Sequence, residues 1–273
     1  MGPPDNLDDP HRRIGGVVAP ANLPIPMCSV LDEPDGELMS VPEVHSVVDL
    51  LISLWPQDTW TRVKDLLGTW RQRLDSKDNY SGHHSGLATE YAIQLAHRQD
   101  LPFDTIAAMW VAGHVYDLGK ISVPENVLTK DGPLSNAEML MMRQHVSSGY
   151  DLLRDWDVFR VSPRWMSQVV LEVVLFHHER WDGQGYPKGL AARGIPLPAR
   201  IMTVADAYAA MIMDTPYRRA TSEDKAIKEM ETNAGLQFDP YLVRSFIAMV
   251  RVHQLKGQSP LKFMAPMDDT LVA

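Results

Sequence analysis

The sequence predicts an all-α protein, and three observations carry that expectation. From residue 44 onward apolar residues recur at helical spacing, so each segment turns one face inward. Capping signals stand at the start of several segments: Asp58, the run Ser135-Asn136-Ala137-Glu138, Thr221 or Ser222, and Asp239 followed by Pro240. Glycines and prolines break the pattern between segments, as at Gly183, Gly185, Pro187, Pro196 and Pro198. At 273 residues the chain can bury a sizeable core, in one domain or two by length alone.

Residues 1–40 are rich in proline, with acidic residues and glycine interspersed and no sustained period. A flexible arm is expected there, ahead of a helical domain over 41–258 and a tail over 259–273. The first helix is expected over 44–54 and the second over 58–74, capped by Asp58. The third, over 81–97, puts His84, Leu87, Ala88, Tyr91 and Leu95 on one stripe. The fourth, over 104–118, aligns Ile106, Met109, Trp110, Gly113 and Asp117. A carboxylate on an apolar stripe must be paired or bound to a metal.

After the loop ISVPENVLTKDGPL, the capping box at Ser135 and Glu138 starts a fifth helix with Met141, Met142, His145, Gly149 and Leu152 on one side. The sixth, over 167–179, carries Val170, Val173, Val174 and His177 inward. The seventh begins near Ala199 and holds Asp206 in its interior beside Met202, Ala209 and Met213. Two further helices close the domain, one capped near Thr221 or Ser222 and one by Asp239 with Pro240 at its first position.

Charge and cysteine content exclude several functions. With a formal net charge of -9, the chain has no global attraction for a nucleic-acid polymer or an anionic membrane, although a local basic pocket for a small anion is allowed. Cys28 is the only cysteine, which excludes intramolecular disulfides and points to a reducing, cytoplasmic setting. No uncharged apolar run approaches the roughly 20 residues of a spanning helix, and MGPPDNLDDPHRR lacks the apolar core of a signal peptide.

The chemistry concentrates in the stretch 177–206, HHERWDGQGYPKGLAARGIPLPARIMTVAD, where His177 and His178 lead into a glycine-rich loop that ends at Asp206. That stretch reads as a metal site beside a phosphate or nucleotide pocket. His84, Asp117 and His145 add imidazoles and a carboxylate from other helices, a donor set suited to transition metals. Taken singly, each has a plainer reading: a hydrogen-bonded core histidine, a helix cap or Lys120 partner at Asp117, a simple turn at the glycines.

Taken together, the motifs DNYSGHHS, YDLGKISVPE, HVSSGYDLL, HHERWDGQGYPKGL, ARIMTVADAY and PYRRATSEDKAIKEMETNAGLQFDP follow one another over about 78–250 in an order and spacing that resemble the HD-GYP family. These are bacterial metal-dependent phosphodiesterases of cyclic di-GMP within the HD superfamily, helical bundles with a GYP loop. The resemblance implies metal-ligand roles for His84, Asp117, His145, His177, His178 and Asp206. Asp117 would bridge two ions, with His84 and Asp206 on one and His145, His177 and His178 on the other. It implies catalytic roles for Asp117 and Lys120, and substrate contacts at Lys120, Gly185, Tyr186, Pro187 and Arg218. Gly183 and Gly185 would permit close backbone approach, and Tyr186 would pack against a guanine or hydrogen-bond a phosphate. The implied cofactor is one or two divalent transition-metal ions, iron or manganese. The implied partners are cyclic di-GMP and a signalling protein reached through the GYP loop or the N-terminal arm.

The chain also departs from that family's pattern. Tyr116 stands where the family has the histidine of its HD motif, and a neutral phenol is a much poorer ligand than imidazole. Tyr80, Ala209 and Thr215 replace a glutamate, an aspartate and an arginine of the family. The expected protein is therefore a phosphodiesterase with a reduced metal site. The alternatives are a module that binds cyclic di-GMP or a protein partner without hydrolysis, and another HD-superfamily nucleotide phosphohydrolase, which would not need the GYP loop.

Overall fold

The computed structural model describes residue 55 and residues 57–78, 81–214 and 219–255. The helix expected over 44–54, the arm over 1–40 and the tail over 259–273 lie outside the described residues. Eleven α-helices are described: α1 (Gln57–Asp78), α2 (Ser81–Arg98), α3 (Phe103–Val115), α4 (Glu125–Leu128), α5 (Asn136–Arg143), α6 (His145–Arg154), α7 (Asp157–Val161), α8 (Arg164–Phe176), α9 (Leu197–Ile212), α10 (Glu223–Thr232) and α11 (Pro240–Leu255). Short 3-10 turns cover Leu118–Ser122 and Ala192–Gly194. No strand forms among the described residues, only a lone bridge between Ala234 and Phe238. Among them no helix is long and apolar enough to cross a membrane.

Four helices touch in a ring, α9 on α2, α2 on α3, α3 on α8 and α8 on α9. Their inward stripes make the core: Leu87, Tyr91, Met109, Val170, Val174 and Met202 are all buried. Burial of each such side chain is worth about 1.5–3 kcal/mol, and that gain holds the ring closed. Outside the ring, α6 packs on both α8 and the Leu118–Ser122 turn. That corner carries the functional residues.

Several boundaries differ from expectation. The second expected helix starts at Gln57, with Asp58 inside its first turn instead of capping it. The helix expected over 104–118 ends at Val115, because the chain tightens at Asp117 (φ -96°, ψ 5°) into a 3-10 turn. Asp117 O accepts the Lys120 N–H at 2.9 Å there, and Lys77 Nζ of α1 caps the carbonyls of Ile121 and Val123 at 2.6 and 3.2 Å. The capping box at Ser135 and Glu138 forms as expected. The helix it starts is interrupted at Gln144, however, and resumes as α6. Met141 is exposed at 43% on α5, which buries none of its residues, and Leu152 at 51% on α6, where His145, Val146, Gly149 and Leu153 face inward. Proline N-caps at Pro163 and Pro196 start α8 and α9 two or three residues earlier than the pattern suggests. Asp239 Oδ1 caps α11 through the Tyr241 N–H at 2.9 Å.

Candidate metal centre and its cavity

Three separate stretches of chain bring Asp117, His145, His177 and His178 together, each offering one ligand atom with all four within 4.8 Å of one another. Asp117 precedes the 3-10 turn, His145 opens α6, and His177 ends α8 as its C-cap. Gly119 explains how the first two meet. A Cβ there would collide with the His145 carbonyl and come within 2.6 Å of Gly149 N, so only glycine lets the turn lie directly on the α6 backbone.

The hydrogen bonds of the histidines fix which nitrogens face inward. His145 Nδ1 lies 2.7 Å from Met142 O, and His177 Nδ1 lies 3.1 and 3.0 Å from Val173 O and Val174 O. A carbonyl only accepts, so each Nδ1 carries the proton and each Nε2 presents a lone pair. These two Nε2 atoms stand 3.4 Å apart, with Asp117 Oδ1 at 3.4 Å from one and 3.9 Å from the other. Asp117 Oδ1 is buried and accepts no hydrogen bond. Lone pairs converging on an unsatisfied buried oxygen are what a cation would relieve, and carbonyl-bonded Nδ1–H groups are the usual support of metal-binding imidazoles. The residues present fit a divalent transition-metal ion.

Electrostatics agree with that donor set. Burial pushes the His145 imidazole down to about 4, and burial also lowers His177. His178 falls well below the ordinary range through burial and the two neighbouring imidazoles. All three are therefore neutral, as ligands must be. Burial would raise the Asp117 carboxyl, but Lys120 and the imidazoles outweigh it and hold the group down at about 2. Lys120 Nζ bonds Asp117 Oδ2 at 2.7 Å, which leaves Oδ1 facing the histidines.

His84 and Asp206 come together beside this group and outside it. His84 Nε2 and the Tyr116 hydroxyl both contact Asp206 Oδ1, each at 2.8 Å. Burial, followed by the Asp206 and Asp117 carboxylates, drives the Tyr116 phenol well above its ordinary value of 10.0, so it keeps its proton and donates. Tyr116 thus meets Asp206 as a hydrogen-bond donor, with its ring edge-on to His177 at 4.9 Å. Ala209, on the same helix as Asp206, is fully buried in the core.

A cavity of about 250 Å³ adjoins the centre, lined by His177, His178 and Asp206 on one side and by Gly185, Tyr186 and Arg143 on another. Tyr186 stacks on His178 at 4.9 Å between ring centroids. The closeness expected of Gly185 is toward the protein's own chain: a Cβ there would come within 2.5 Å of Glu179 Cα and 2.6 Å of His178 O. Gly183 adopts a left-handed φ of 77°, which favours glycine. Pro187 is exposed. Arg218, Thr215 and Tyr80 lie outside the described residues, and Arg219 is exposed.

Two residues of this site escaped the sequence reading. Glu179 is 1% exposed and accepts the backbone N–H groups of Lys188 and Leu190 at 2.7 and 3.0 Å, pinning the loop. Its only signal is a carboxylate directly after the paired histidines. Arg143 reaches the cavity from the end of α5, and one arginine on an exposed helix carries no signal at all.

The HD domain family matches residues 65–242, well over half of the sequence. The chain belongs to the HD domain family. Its relatives include the cyclic di-GMP phosphodiesterase PA4108 of Pseudomonas aeruginosa, 36% identical over 66% of this chain and 42% of that protein. They also include the cyclic di-GMP phosphodiesterase response regulator RpfG of Xanthomonas campestris pv. campestris, 32% identical over 72% of this chain and 51% of that one. The HD-GYP resemblance is thus matched among known proteins. The chain spans about half or less of the length of these curated relatives. Among solved structures it is similar to Bd1817, an HDG"Y"P protein from Bdellovibrio bacteriovorus, with a TM-score of 0.51 at 17% identity over 63% of this chain and 52% of that one. It is also similar to the cyclic GMP-AMP phosphodiesterase V-cGAP3 of V. cholerae, with a TM-score of 0.53 at 16% identity over 75% and 54% of the two chains. At these identities the structural likeness concerns the helical fold.

Proposed function

We propose that this chain is a metal-dependent phosphodiesterase of cyclic di-GMP, a cytoplasmic enzyme of bacterial second-messenger signalling, with one ion held by Asp117, His145, His177 and His178. The observation that carries the reading is this group of three neutral imidazoles and one unsatisfied carboxylate oxygen beside a cavity walled by the GYP loop. The imidazole-rich set with one carboxylate suits iron or manganese. When bound, such an ion supplies Lewis-acid charge to a phosphoryl oxygen and makes water acidic enough to attack near neutral pH.

The chain's own residues prepare that chemistry. Lys120 fixes Asp117 so that Oδ1 stays on the ion side, and the backbone carbonyls of Met142, Val173 and Val174 orient two of the imidazoles. His84 and Tyr116 both contact Asp206 Oδ1 at the cavity wall, and a protonated phenol there offers no ligand comparable to imidazole, which supports a count of one ion. Gly185, Tyr186, Pro187 and Arg218 complete the substrate contacts in this reading, with a signalling protein meeting the GYP loop or residues 1–40. Relatives named as specific for 3'3'-cGAMP make that dinucleotide the competing substrate to test.

The experiment is to load the chain with iron or manganese, add cyclic di-GMP or cyclic GMP-AMP, and separate the products by chromatography. Slow hydrolysis of cyclic di-GMP is expected, to the linear dinucleotide of GMP or on to GMP. Binding of cyclic di-GMP without product would leave a non-hydrolysing module, and preference for ordinary nucleotides would make the chain a different HD-superfamily phosphohydrolase.

A further inference from the structure

Three cationic side chains surround the metal centre and its cavity, and two of them are neutralised in place. Lys120 Nζ bonds Asp117 Oδ2 at 2.7 Å. Arg180 pairs with Asp182 at 2.7 Å and donates to Gln237 Oε1 at 3.3 Å. Arg143 lines the same cavity, yet among the described residues no carboxylate stands within ion-pair distance of it. Its guanidinium carbon lies instead over the Tyr186 ring, 5.1 Å from the centroid.

That contact holds the cation without consuming its donors. A cation–π contact uses the charge of the guanidinium and takes up none of its five N–H donors as conventional hydrogen bonds. The ring contact orients the charge and does not cancel it. In a chain of net charge -9, attraction for an anion has to be local, and Arg143 supplies such a local charge at the cavity. The root of Arg143 is also fixed by the metal centre, since His145 is two residues on and its Nδ1 is bonded to Met142 O at 2.7 Å. The corner at 142–145 therefore delivers one imidazole to the ion site and one guanidinium to the cavity beside it.

We propose that Arg143 is a substrate-binding residue that forks N–H donors onto a phosphodiester of the bound dinucleotide while Tyr186 holds its plane. The assignment rests on the reading of the cavity as a cyclic-dinucleotide site. In that arrangement Tyr186 acts first as the platform for Arg143 and His178, with its ring already in contact with both.

The test compares the metal-loaded wild-type chain with Arg143→Ala and Arg143→Lys, measuring metal content, the Kd for inorganic phosphate, and kcat and KM for cyclic di-GMP. Arg143 is exposed, so both variants should fold and keep their metal. Arg143→Ala is expected to weaken phosphate binding and to raise KM by about ten-fold or more each, the usual size of a charge-assisted hydrogen bond. Because the contact is made in the ground state, kcat should change by less than about three-fold. Arg143→Lys should recover only part of the loss, because a point charge cannot fork. Phosphate binding or KM unchanged in Arg143→Ala would overturn the assignment. If the wild type neither binds nor cleaves a cyclic dinucleotide, the proposed function fails separately. The phosphate titration then decides Arg143: loss in Arg143→Ala upholds its anion role, while equal binding by both chains, or none by either, overturns it.

Discussion

Asp206 Oδ1 receives both the His84 ring and the Tyr116 hydroxyl at 2.8 Å, and the two contacts together set what this end of the site can hold. A phenol that keeps its proton is a donor, so an ion approaching Asp206 Oδ1 would have to displace it and would gain no ligand from it. Restoring an imidazole there supplies the lone pair instead. Tyr116→His is expected to raise the metal content from about one ion per chain to about two, read by elemental analysis after anaerobic loading. Unchanged content would make the tyrosine a packing residue beside a one-ion site. A second residue-scale expectation concerns pH. The ordinary imidazole value is 6.5, and His145 in the folded chain sits at about 4. As pH falls below 6.5 the unfolded chain takes up a proton that the folded chain refuses until about 4. Stability is therefore full above 6.5 and declines through that window, and His177 and His178 shift in the same direction. Thermal melts of the metal-free chain should show Tm falling stepwise from pH 6.5 toward 4, and a flat Tm would mean these rings are not buried as described.

At the scale of elements, the sequence was most legible along the helices that form the core and least where the chain bends to build the site. The stripes expected on α2 and α3 are buried, His84 among them, and so are residues between the stripes such as Ala92, Ala107 and Val111, because both helices are packed on several sides. The same spacing carried across Gln144 held for His145 and Gly149, which are buried, and failed for Met141 and Leu152, which are exposed because α5 buries none of its residues and α6 turns Val146 and Leu153 inward instead. Asp117 was read as the last turn of a helix, whereas the 3-10 turn that holds it is imposed by a tertiary contact of Gly119 with α6. No local pattern encodes such a contact. The GYP loop gives a similar case: its glycines are visible in the sequence, but the carboxylate that pins it is known only from the fold. Glu179 accepts two backbone N–H groups while almost fully buried, so removing it leaves both donors without a partner. Glu179→Ala should cost about 2–3 kcal/mol in urea unfolding and speed proteolytic cleavage within 183–190. Unchanged stability and cleavage would show that the loop is held by other contacts.

At the scale of the whole molecule, residues 117, 145, 177 and 178 come from stretches far apart in the chain and meet only when the 3-10 turn, α6 and α8 are packed together. Their order in the sequence made the set recognisable as a family pattern, while the division into a four-residue group and a separate His84, Tyr116 and Asp206 group depends on the packed helices. Because the four-residue group exists only in the folded chain, an ion that binds it shifts the unfolding equilibrium by mass action. At a free concentration about a hundred times its Kd the stabilisation is about 2.7 kcal/mol, which for a domain of this size raises Tm by roughly 5–10 °C. Asp117→Asn keeps the shape of the side chain and removes its charge, leaving Lys120 without its carboxylate partner at 2.7 Å. The variant should melt below the wild type without metal and gain little or nothing when iron or manganese is added. If it instead gains the same Tm increment as the wild type, the stabilising ion is bound elsewhere on the chain and the centre at Asp117 does not hold it.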